Sequence, residues 1–304
     1  MNSANELSFE LTDEQVETFL VDGFVIIPEI IDPDLTRKAL NKFEPMFAGQ
    51  FETGLYPDEW NWNPKRDHPS VTRQICNGWK SDRDVARVVL RADIGRACAR
   101  LGGWPGARIS QDNVLWKPPA GRPLGFHQDS AYDRWAIPQI WVSCWIALDD
   151  TTAEGGTLEF VRGSHRWQQW GMIEQFHAPA DPDLDLRKAA AAEGTEIEKV
   201  AVVVPAGGGA FHAGRTWHGS GINTADVPRR ALVAHCTTSE ARFSSDAVGY
   251  IYSRYKRFGS DEMDESYFPI TWREDGYRSA FLDDYLAEEI GWAGIRSGTA
   301  DSVG

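Results

Sequence analysis

The sequence predicts an α+β fold in which a helical N-terminal part is followed by a mostly β region that forms two packed sheets with helices on one side. Two observations lead to this prediction. Apolar residues recur at helical spacing in three segments before Gly102-Gly103, and from Ala107 onward the period becomes strand-like. Short apolar segments then alternate with glycine-rich turns, which is typical of a double-sheet β-fold.

Three helices are expected in the N-terminal part. The first begins after a capping box at Thr12 and ends at Asp22-Gly23. The second begins near Pro33, and the third runs over about 82–101. The segment 51–80 between them has no clear periodicity, and prolines interrupt it. We therefore expect a lid or binding loop there.

Seven short strands are expected from apolar runs between turn residues. Their ranges are 24–27, 107–117, 140–148, 157–161, 200–204, 209–212 and 231–237. The run 140–148 is nearly continuous in apolar residues, as in a strand covered on both faces. The segment 178–199 is rich in Ala, Asp and Glu and predicts a helical excursion or a mobile insertion. Short helices packed on the mouth of the β-fold are expected within 250–292.

Composition and charge argue against several classes of partner. The chain has 304 residues and a net charge of −14, which argues against nucleic acid or an anionic membrane surface as a partner. No stretch approaches 18 uncharged apolar residues, and the first ten residues lack the pattern of a signal peptide. The four cysteines form no C-x-x-C pair. We interpret them as reduced thiols of a cytoplasmic protein.

Two short segments about ninety residues apart carry the candidate site. The first, GFHQD, holds His127 and Asp129 two positions apart, so that extended backbone projects both side chains to one side. The second, WHGSGIN, holds His218, and Arg229 follows eleven positions later. Two imidazoles and one carboxylate on one face of a metal ion are the ligand set of non-heme Fe(II) oxygenases. Spacing alone does not decide the matter, because H-x-D matches are common by chance.

Four ordered sequence blocks resemble the phytanoyl-CoA dioxygenase family. They are GFHQD at 125–129, WIALDD at 145–150, EGGTLEFVRGSH at 154–165, and WHGSGIN at 217–223 continuing to PRR at 228–230. This family comprises Fe(II)- and 2-oxoglutarate-dependent oxygenases on a double-stranded β-helix, also called a jelly roll or cupin-like core. The resemblance implies one oxygenase domain, with a helical N-terminal part at about 10–103, a β-helix core at about 104–240 and a C-terminal extension at about 241–304.

The resemblance also implies roles for individual residues. His127, Asp129 and His218 correspond to the iron ligands, and Arg229 to the residue that pairs with the far carboxylate of 2-oxoglutarate. A planar guanidinium holds a carboxylate through two parallel hydrogen bonds. Strand alternation lets only one of two adjacent arginines face inward, so Arg230 is expected at the surface.

Further candidates carry an alternative structural role. Four residues are candidates for contact with 2-oxoglutarate: Trp145, Asn113, Arg73 and Ser220. Alternatively, Trp145 packs in the strand core and Asn113 is a polar residue at a strand edge. Arg73 is alternatively a solvated loop arginine, and Ser220 a residue whose hydroxyl shapes the turn. Gln111 and Trp135 are candidates for contact with the substrate. His212 is the main rival of His218 as third ligand, although it lacks the Gly-Ser-Gly context that follows His218. His165 is expected to be structural.

The resemblance implies a reaction that uses 2-oxoglutarate and O2, releases succinate and CO2, and hydroxylates or otherwise oxidises a C–H bond of a small metabolite. Related halogenases replace the ligand carboxylate with a small residue, so Asp129 favours hydroxylation, desaturation or ring closure. Two alternatives stay open. One is a cupin-type metalloenzyme that does not use 2-oxoglutarate, against which Arg229 argues, and the other is a non-catalytic binding protein on the same fold. The sequence leaves the oligomeric state unknown.

Overall fold

The structure, a computed structural model, describes residues 9–247, 249 and 251–287. Within these residues there are seven α-helices: α1 (Asp13–Asp22), α2 (Pro33–Leu40), α3 (Phe43–Phe47), α4 (Arg83–Val89), α5 (Ala92–Gly102), α6 (Leu184–Glu193) and α7 (Leu282–Ala287). The same residues form fourteen strands: β1 (Phe24–Ile27), β2 (Glu59–Asn61), β3 (Arg73–Cys76), β4 (Gly106–Lys117), β5 (Leu124–His127), β6 (Ala136–Ile137), β7 (Val142–Ala147), β8 (Leu158–Val161), β9 (Lys199–Ala201), β10 (Gly209–Ala213), β11 (His218–Ser220), β12 (Arg229–Thr238), β13 (Arg242–Phe243) and β14 (Ile270–Arg273).

The strands form two principal antiparallel sheets. The larger sheet has the order β1-β10-β7-β12-β4-β3-β2, and β14 also pairs with β4. The smaller sheet has the order β5-β11-β8-β9, and β6 pairs separately with β13. This arrangement confirms the predicted mostly β fold with two sheets and flanking helices.

Strand alternation divides the core into two layers. On β7, Cys144 and Ile146 pack in the cluster that includes the N-terminal helices, whereas Trp145 and Ala147 pack in the cluster between the two sheets. The residues of β12 sort in the same way, and Val233 lies in the inter-sheet cluster. Side chains on this second face therefore surround the space between the sheets, where the candidate site lies.

The first predicted helix is confirmed with its cap. The Thr12 side chain accepts from the Gln15 backbone N–H at 3.2 Å, and the Gln15 side chain accepts from the Thr12 N–H at 2.8 Å. Gly23 ends the helix with φ 86°, a left-handed conformation that glycine adopts without strain. The single helix expected over 82–101 was wrong, because the backbone of Arg91 is extended (ψ 136°) and separates α4 from α5.

Three further expectations need correction. The segment 51–80 is more ordered than a loop, because β2 and β3 extend the larger sheet. The strand expected over 200–204 covers only Lys199–Ala201. The helical excursion expected within 178–199, by contrast, is confirmed by α6. The C-terminal part contributes β14 as well as α7; residues 288–304 of the predicted extension lie outside the described residues. The predicted domain boundaries stay a prediction. None of the described helices combines the length and apolar character that crossing a membrane requires.

Candidate metal centre and co-substrate cleft

Adjacent strands of the smaller sheet place the two candidate histidine ligands side by side. His127 ends β5 and His218 begins β11, and the two residues are direct Cα partners in the antiparallel register. Directly opposed residues project to the same side of a sheet, and the two imidazole centroids lie 4.2 Å apart. Asp129 follows in a single 3₁₀ turn. One ligand atom from each of these three buried residues lies within 4.8 Å of the other two.

Backbone carbonyls fix the orientation of both imidazoles. Nδ1 of His127 lies 2.9 Å from the carbonyl oxygen of Gly125, and Nδ1 of His218 lies 2.9 Å from that of Thr216. A carbonyl only accepts hydrogen bonds, so each Nδ1 carries the proton and each Nε2 presents a lone pair. These Nε2 atoms lie 3.5 and 3.4 Å from Oδ1 of Asp129.

Three electron-pair donors therefore converge with no hydrogen between them. Such a cluster is repulsive unless it holds a cation, and two ligand atoms at about 2.1 Å from one ion and at a right angle are about 3 Å apart. Burial lowers the pKa of His127, which keeps it neutral as a metal ligand must be. The donor set thus fits a divalent transition metal.

The second oxygen of Asp129 is held by hydrogen-bond donors outside this cluster. Ser143 Oγ donates to Oδ2 at 3.0 Å, and His212 Nε2 lies 3.0 Å from the same oxygen. Nδ1 of His235 is 3.5 Å away. The carboxylate is therefore ionised and fixed in orientation.

His212 acts as a support for the carboxylate in this geometry. Burial lowers the pKa of His212 to about 4, so its ring is neutral. With Nε2 donating to Asp129, the proton is absent from Nδ1, which has no hydrogen-bond partner within the described part of the chain. His212 therefore contacts Oδ2 of Asp129, away from the ligand cluster, whereas His218 faces Oδ1 within the cluster.

A buried guanidinium lies at the other end of the same space. Arg229 begins β12 and is 3% exposed. It donates to the carbonyl oxygen of Gly156 at 3.1 Å, its Nε has no partner, and the guanidinium carbon lies 5.8 Å from the centroid of a Trp145 ring. No carboxylate of the described residues lies within ion-pair distance of it. Burial lowers the pKa of Arg229 to about 10, although Asp149 opposes the shift.

A cleft of about 60 Å³ connects the histidine cluster with Arg229. Three of the predicted co-substrate residues line this cleft: Trp145, Asn113 and Ser220. The cleft therefore joins a metal-binding end to an anion-binding end.

Arg73 lies elsewhere. Its guanidinium carbon is 4.0 Å from the centroid of a Trp62 ring and 4.3 Å from one of Trp116, and it is not among the residues that line the cleft. Adjacent strand residues face opposite sides, so its neighbour Gln74 lines the cleft instead and donates to Asn113 Oδ1 at 3.1 Å. The geometry does not support the predicted contact of Arg73 with the co-substrate.

A second, larger cavity of about 740 Å³ opens over His127 and Asp129. Both predicted substrate residues, Gln111 and Trp135, line it. Its other lining residues include three aromatic side chains, three carboxylates and one arginine: Tyr132, Phe176, Tyr252, Glu59, Asp133, Asp246 and Arg134. The C-terminal segment supplies part of this wall.

Three residues of the site were not predicted from the sequence: Ser143, His235 and Lys117. His235 follows Arg229 by six positions on β12, so strand alternation from Arg229 indicates that it faces inward. Its Nε2 lies 2.9 Å from Asn113 Nδ2 and its Nδ1 lies 2.7 Å from Ser143 Oγ. Lys117, the Cα partner of Arg229, carried no local signal beyond the two prolines that follow it.

Comparison with known proteins places the chain in a family. A sequence model of the phytanoyl-CoA dioxygenase (PhyH) family matches residues 19–231. A probable alpha-ketoglutarate-dependent hypophosphite dioxygenase of Stutzerimonas stutzeri is 29% identical over 237 residues, which cover 75% of this chain and 79% of that protein.

Two solved structures show the same fold. The non-heme alpha ketoglutarate dependent carbocyclase SnoK from nogalamycin biosynthesis aligns with a TM-score of 0.67 at 23% identity, over 86% of this chain and 96% of its own. The epimerase SnoN in complex with Fe3+, alpha ketoglutarate and nogalamycin RO aligns with a TM-score of 0.66 at 20% identity, over 85% and 98%. The two-sheet core is thus a jelly roll. Because the family match spans more than half of its length, this chain belongs to the phytanoyl-CoA dioxygenase family.

Proposed function

We propose that this chain is an Fe(II)- and 2-oxoglutarate-dependent dioxygenase that hydroxylates, or otherwise oxidises, a C–H bond of a small metabolite and releases succinate and CO2. One observation carries the proposal. A single buried cleft has three converging electron-pair donors at one end and a guanidinium without a carboxylate partner at the other. A divalent metal and a dicarboxylate satisfy both ends at once.

Different residues of the site bind the metal, bind the co-substrate and orient the ligand carboxylate. His127, Asp129 and His218 hold the Fe(II), which when bound supplies the activation of O2 and the oxidation of the substrate. Arg229 binds the far carboxylate of 2-oxoglutarate, and the buried Trp145 ring lies beside its guanidinium. His212 and Ser143 keep the Asp129 carboxylate in orientation.

The geometry also weighs against the alternatives. A cupin-type metalloenzyme without 2-oxoglutarate leaves the buried charge of Arg229 unexplained. A non-catalytic binding protein has no need of a cleft that joins a metal centre to an anion site and opens into a second cavity. The carboxylate of Asp129 occupies the ligand position that halogenases leave vacant, so hydroxylation, desaturation or ring closure is favoured over halogenation.

The larger cavity supports a proposal for the class of substrate. Aromatic rings favour a compact, partly apolar or ring-containing molecule. Among the described residues, no lysine or arginine lies within ion-pair distance of Glu59, Asp133 or Asp246, and the single arginine of the lining, Arg134, is exposed. An anion such as hypophosphite would face these carboxylates. We therefore propose that the substrate carries a positive charge.

Asp133 is the carboxylate best placed to bind such a charge. Its hydrogen bond comes from Nε1 of Trp135, at 3.2 Å, and burial raises the pKa of Asp133 to about 7. A cationic substrate would favour the ionised form and would replace the missing counter-charge. The aromatic face of Trp135 lies in the same wall.

We also propose that the protein is cytoplasmic and acts on its substrate as a single oxygenase domain. All four cysteines are buried and unpaired by disulfides, which suits a reducing compartment.

Two measurements test the main proposal. The first is calorimetric titration of 2-oxoglutarate into the anaerobic protein with Mn(II) in place of Fe(II), and again with EDTA. Binding that requires the metal is expected, and it should disappear in Asp129→Ala. Metal-independent binding, or none, would refute the proposal.

The second measurement is succinate release with Fe(II), O2 and matched aryl-alkyl amines and aryl-alkyl carboxylates. The amines should stimulate succinate release, and Asp133→Asn should remove much of that stimulation. Asp226→Asn, at an exposed position that does not line the cavity, serves as the matched control. Stimulation by the carboxylates alone would contradict the proposed charge of the substrate.

A further inference from the structure

A second buried cation lies next to the co-substrate cleft. Lys117 is the last residue of β4, and its exposed fraction is 0%. Its Nζ donates to Oγ of Ser220 at 2.7 Å and also to the carbonyl oxygen of Gly221. No carboxylate of the described residues lies within ion-pair distance of the ammonium group, so both of its protein partners are neutral.

Lys117 and Arg229 form a pair of like charges. They are direct Cα partners across β4 and β12, and both are buried. Burial, and then repulsion from Arg229, lower the pKa of Lys117 well below its usual range, while Glu159 attracts it only from a distance. Two buried cations without a counter-ion are costly, and a bound dianion removes this cost for both.

The direction of the hydrogen bonds gives Lys117 a second effect. An ammonium group only donates, so Oγ of Ser220 must accept from Lys117. The hydroxyl hydrogen of Ser220 is then available to donate elsewhere, and Ser220 lines the cleft together with Arg229. Without Lys117 this hydroxyl would be able to turn and donate to the carbonyl oxygen of Gly221 instead.

We infer that Lys117 is a positioning residue for the co-substrate. It orients the Ser220 hydroxyl as a donor to the far carboxylate of 2-oxoglutarate beside Arg229, and its charge makes the cleft select dianionic over monoanionic 2-oxo acids. This inference rests on the proposed function, because it takes 2-oxoglutarate as the occupant of the cleft.

The experiment compares two acids that differ only at the far end. In 2-oxopentanoate a methyl group replaces the far carboxylate of 2-oxoglutarate. Both acids are titrated calorimetrically into the anaerobic Mn(II)-loaded protein, so that the readout is binding and not turnover. Lys117→Met is expected to weaken 2-oxoglutarate binding by about 10- to 100-fold, the range for one charge-assisted hydrogen bond, and to change 2-oxopentanoate binding by less than about threefold.

Ser220→Ala and the double variant separate the two effects of Lys117. If Lys117 acts through Ser220, Ser220→Ala loses affinity for the dianion only, and the double variant loses much less than the two single losses combined. Lys80→Met, at another largely buried lysine, controls for loss of packing and should leave both affinities unchanged. If Lys117→Met does not fold, Ser220→Ala alone carries the test, because it removes the hydroxyl through which Lys117 acts.

Three results would overturn the inference: 2-oxoglutarate affinity of Lys117→Met within about threefold of wild type, equal losses for the two acids, or a Ser220→Ala variant that binds the dianion normally. If the wild-type protein binds neither acid, the proposed function itself is refuted.

Discussion

Two adjacent arginines on one strand allow a matched test of the co-substrate site. Arg229 faces the cleft and has no carboxylate partner. Arg230 faces the other side, where its guanidinium donates to Asp149 at 2.7 and 2.9 Å and its side chain is 20% exposed. Arg229→Met removes a cation from one face of β12, and Arg230→Met removes a cation from the opposite face.

The structure predicts effects of opposite sign for the two variants. Loss of a buried charge partner costs about 2–4 kcal/mol of binding, so Arg229→Met should weaken 2-oxoglutarate binding by about 30- to 700-fold. The same change removes an uncompensated buried cation and should stabilise the metal-free protein by about 1–3 kcal/mol. Arg230→Met should leave binding unchanged and cost about 1–3 kcal/mol of stability, because Asp149 is only 18% exposed and loses both guanidinium hydrogen bonds.

Calorimetry with the Mn(II)-loaded protein measures the affinities, and urea unfolding of the metal-free protein measures the stabilities. An Arg229→Met variant that keeps the affinity for 2-oxoglutarate within about threefold would show that the guanidinium does not bind the dicarboxylate. Equal losses of affinity in both variants would point to general damage to β12.

Three more outcomes are expected from the metal centre and the large cavity. Asp129→Ala should abolish both the rise of the unfolding temperature on addition of Mn(II) and substrate-coupled succinate release; a variant that keeps either is evidence against Asp129 as a ligand. His212→Phe should lower the affinity for metal by about 10- to 100-fold, as measured by competition with a chelator, while the metal-free protein stays folded. An unchanged affinity would show that His212 does not support Oδ2 of Asp129. The folded pKa of Asp133, about 7, lies above its unfolded value, so its contribution to stability is complete below about pH 4 and is lost as the pH rises to about 7. Asp133→Asn should therefore stabilise the metal-free protein above pH 7 by roughly 1–3 kcal/mol, allowing for partial solvation, and should match wild type near pH 4; a constant difference across this range would mean that titration of Asp133 is not the cause.

Much of the fold was predictable because the signals were local. The capping box at Thr12 and the left-handed Gly23 set both ends of α1 without help from distant residues. The break at Arg91 was not predictable, since the apolar pattern runs through it and only the packing of α4 and α5 against different neighbours separates them. The strands β5 and β11 also escaped prediction, because each is short and forms through pairing with strands that lie far away in the sequence.

In the candidate site, too, the local features were predictable from the sequence and the long-range contacts were not. The sequence by itself determined the donor types at His127, Asp129 and His218, and alternation on β12 determined that Arg229 and Arg230 face opposite sides, because side-chain direction along a strand is a local property. Only the tertiary structure brought His127 opposite His218 and Lys117 opposite Arg229. Register across strands that lie far apart in sequence depends on packing of the whole core, and a lysine becomes an uncompensated charge only when the folded chain removes water from around it.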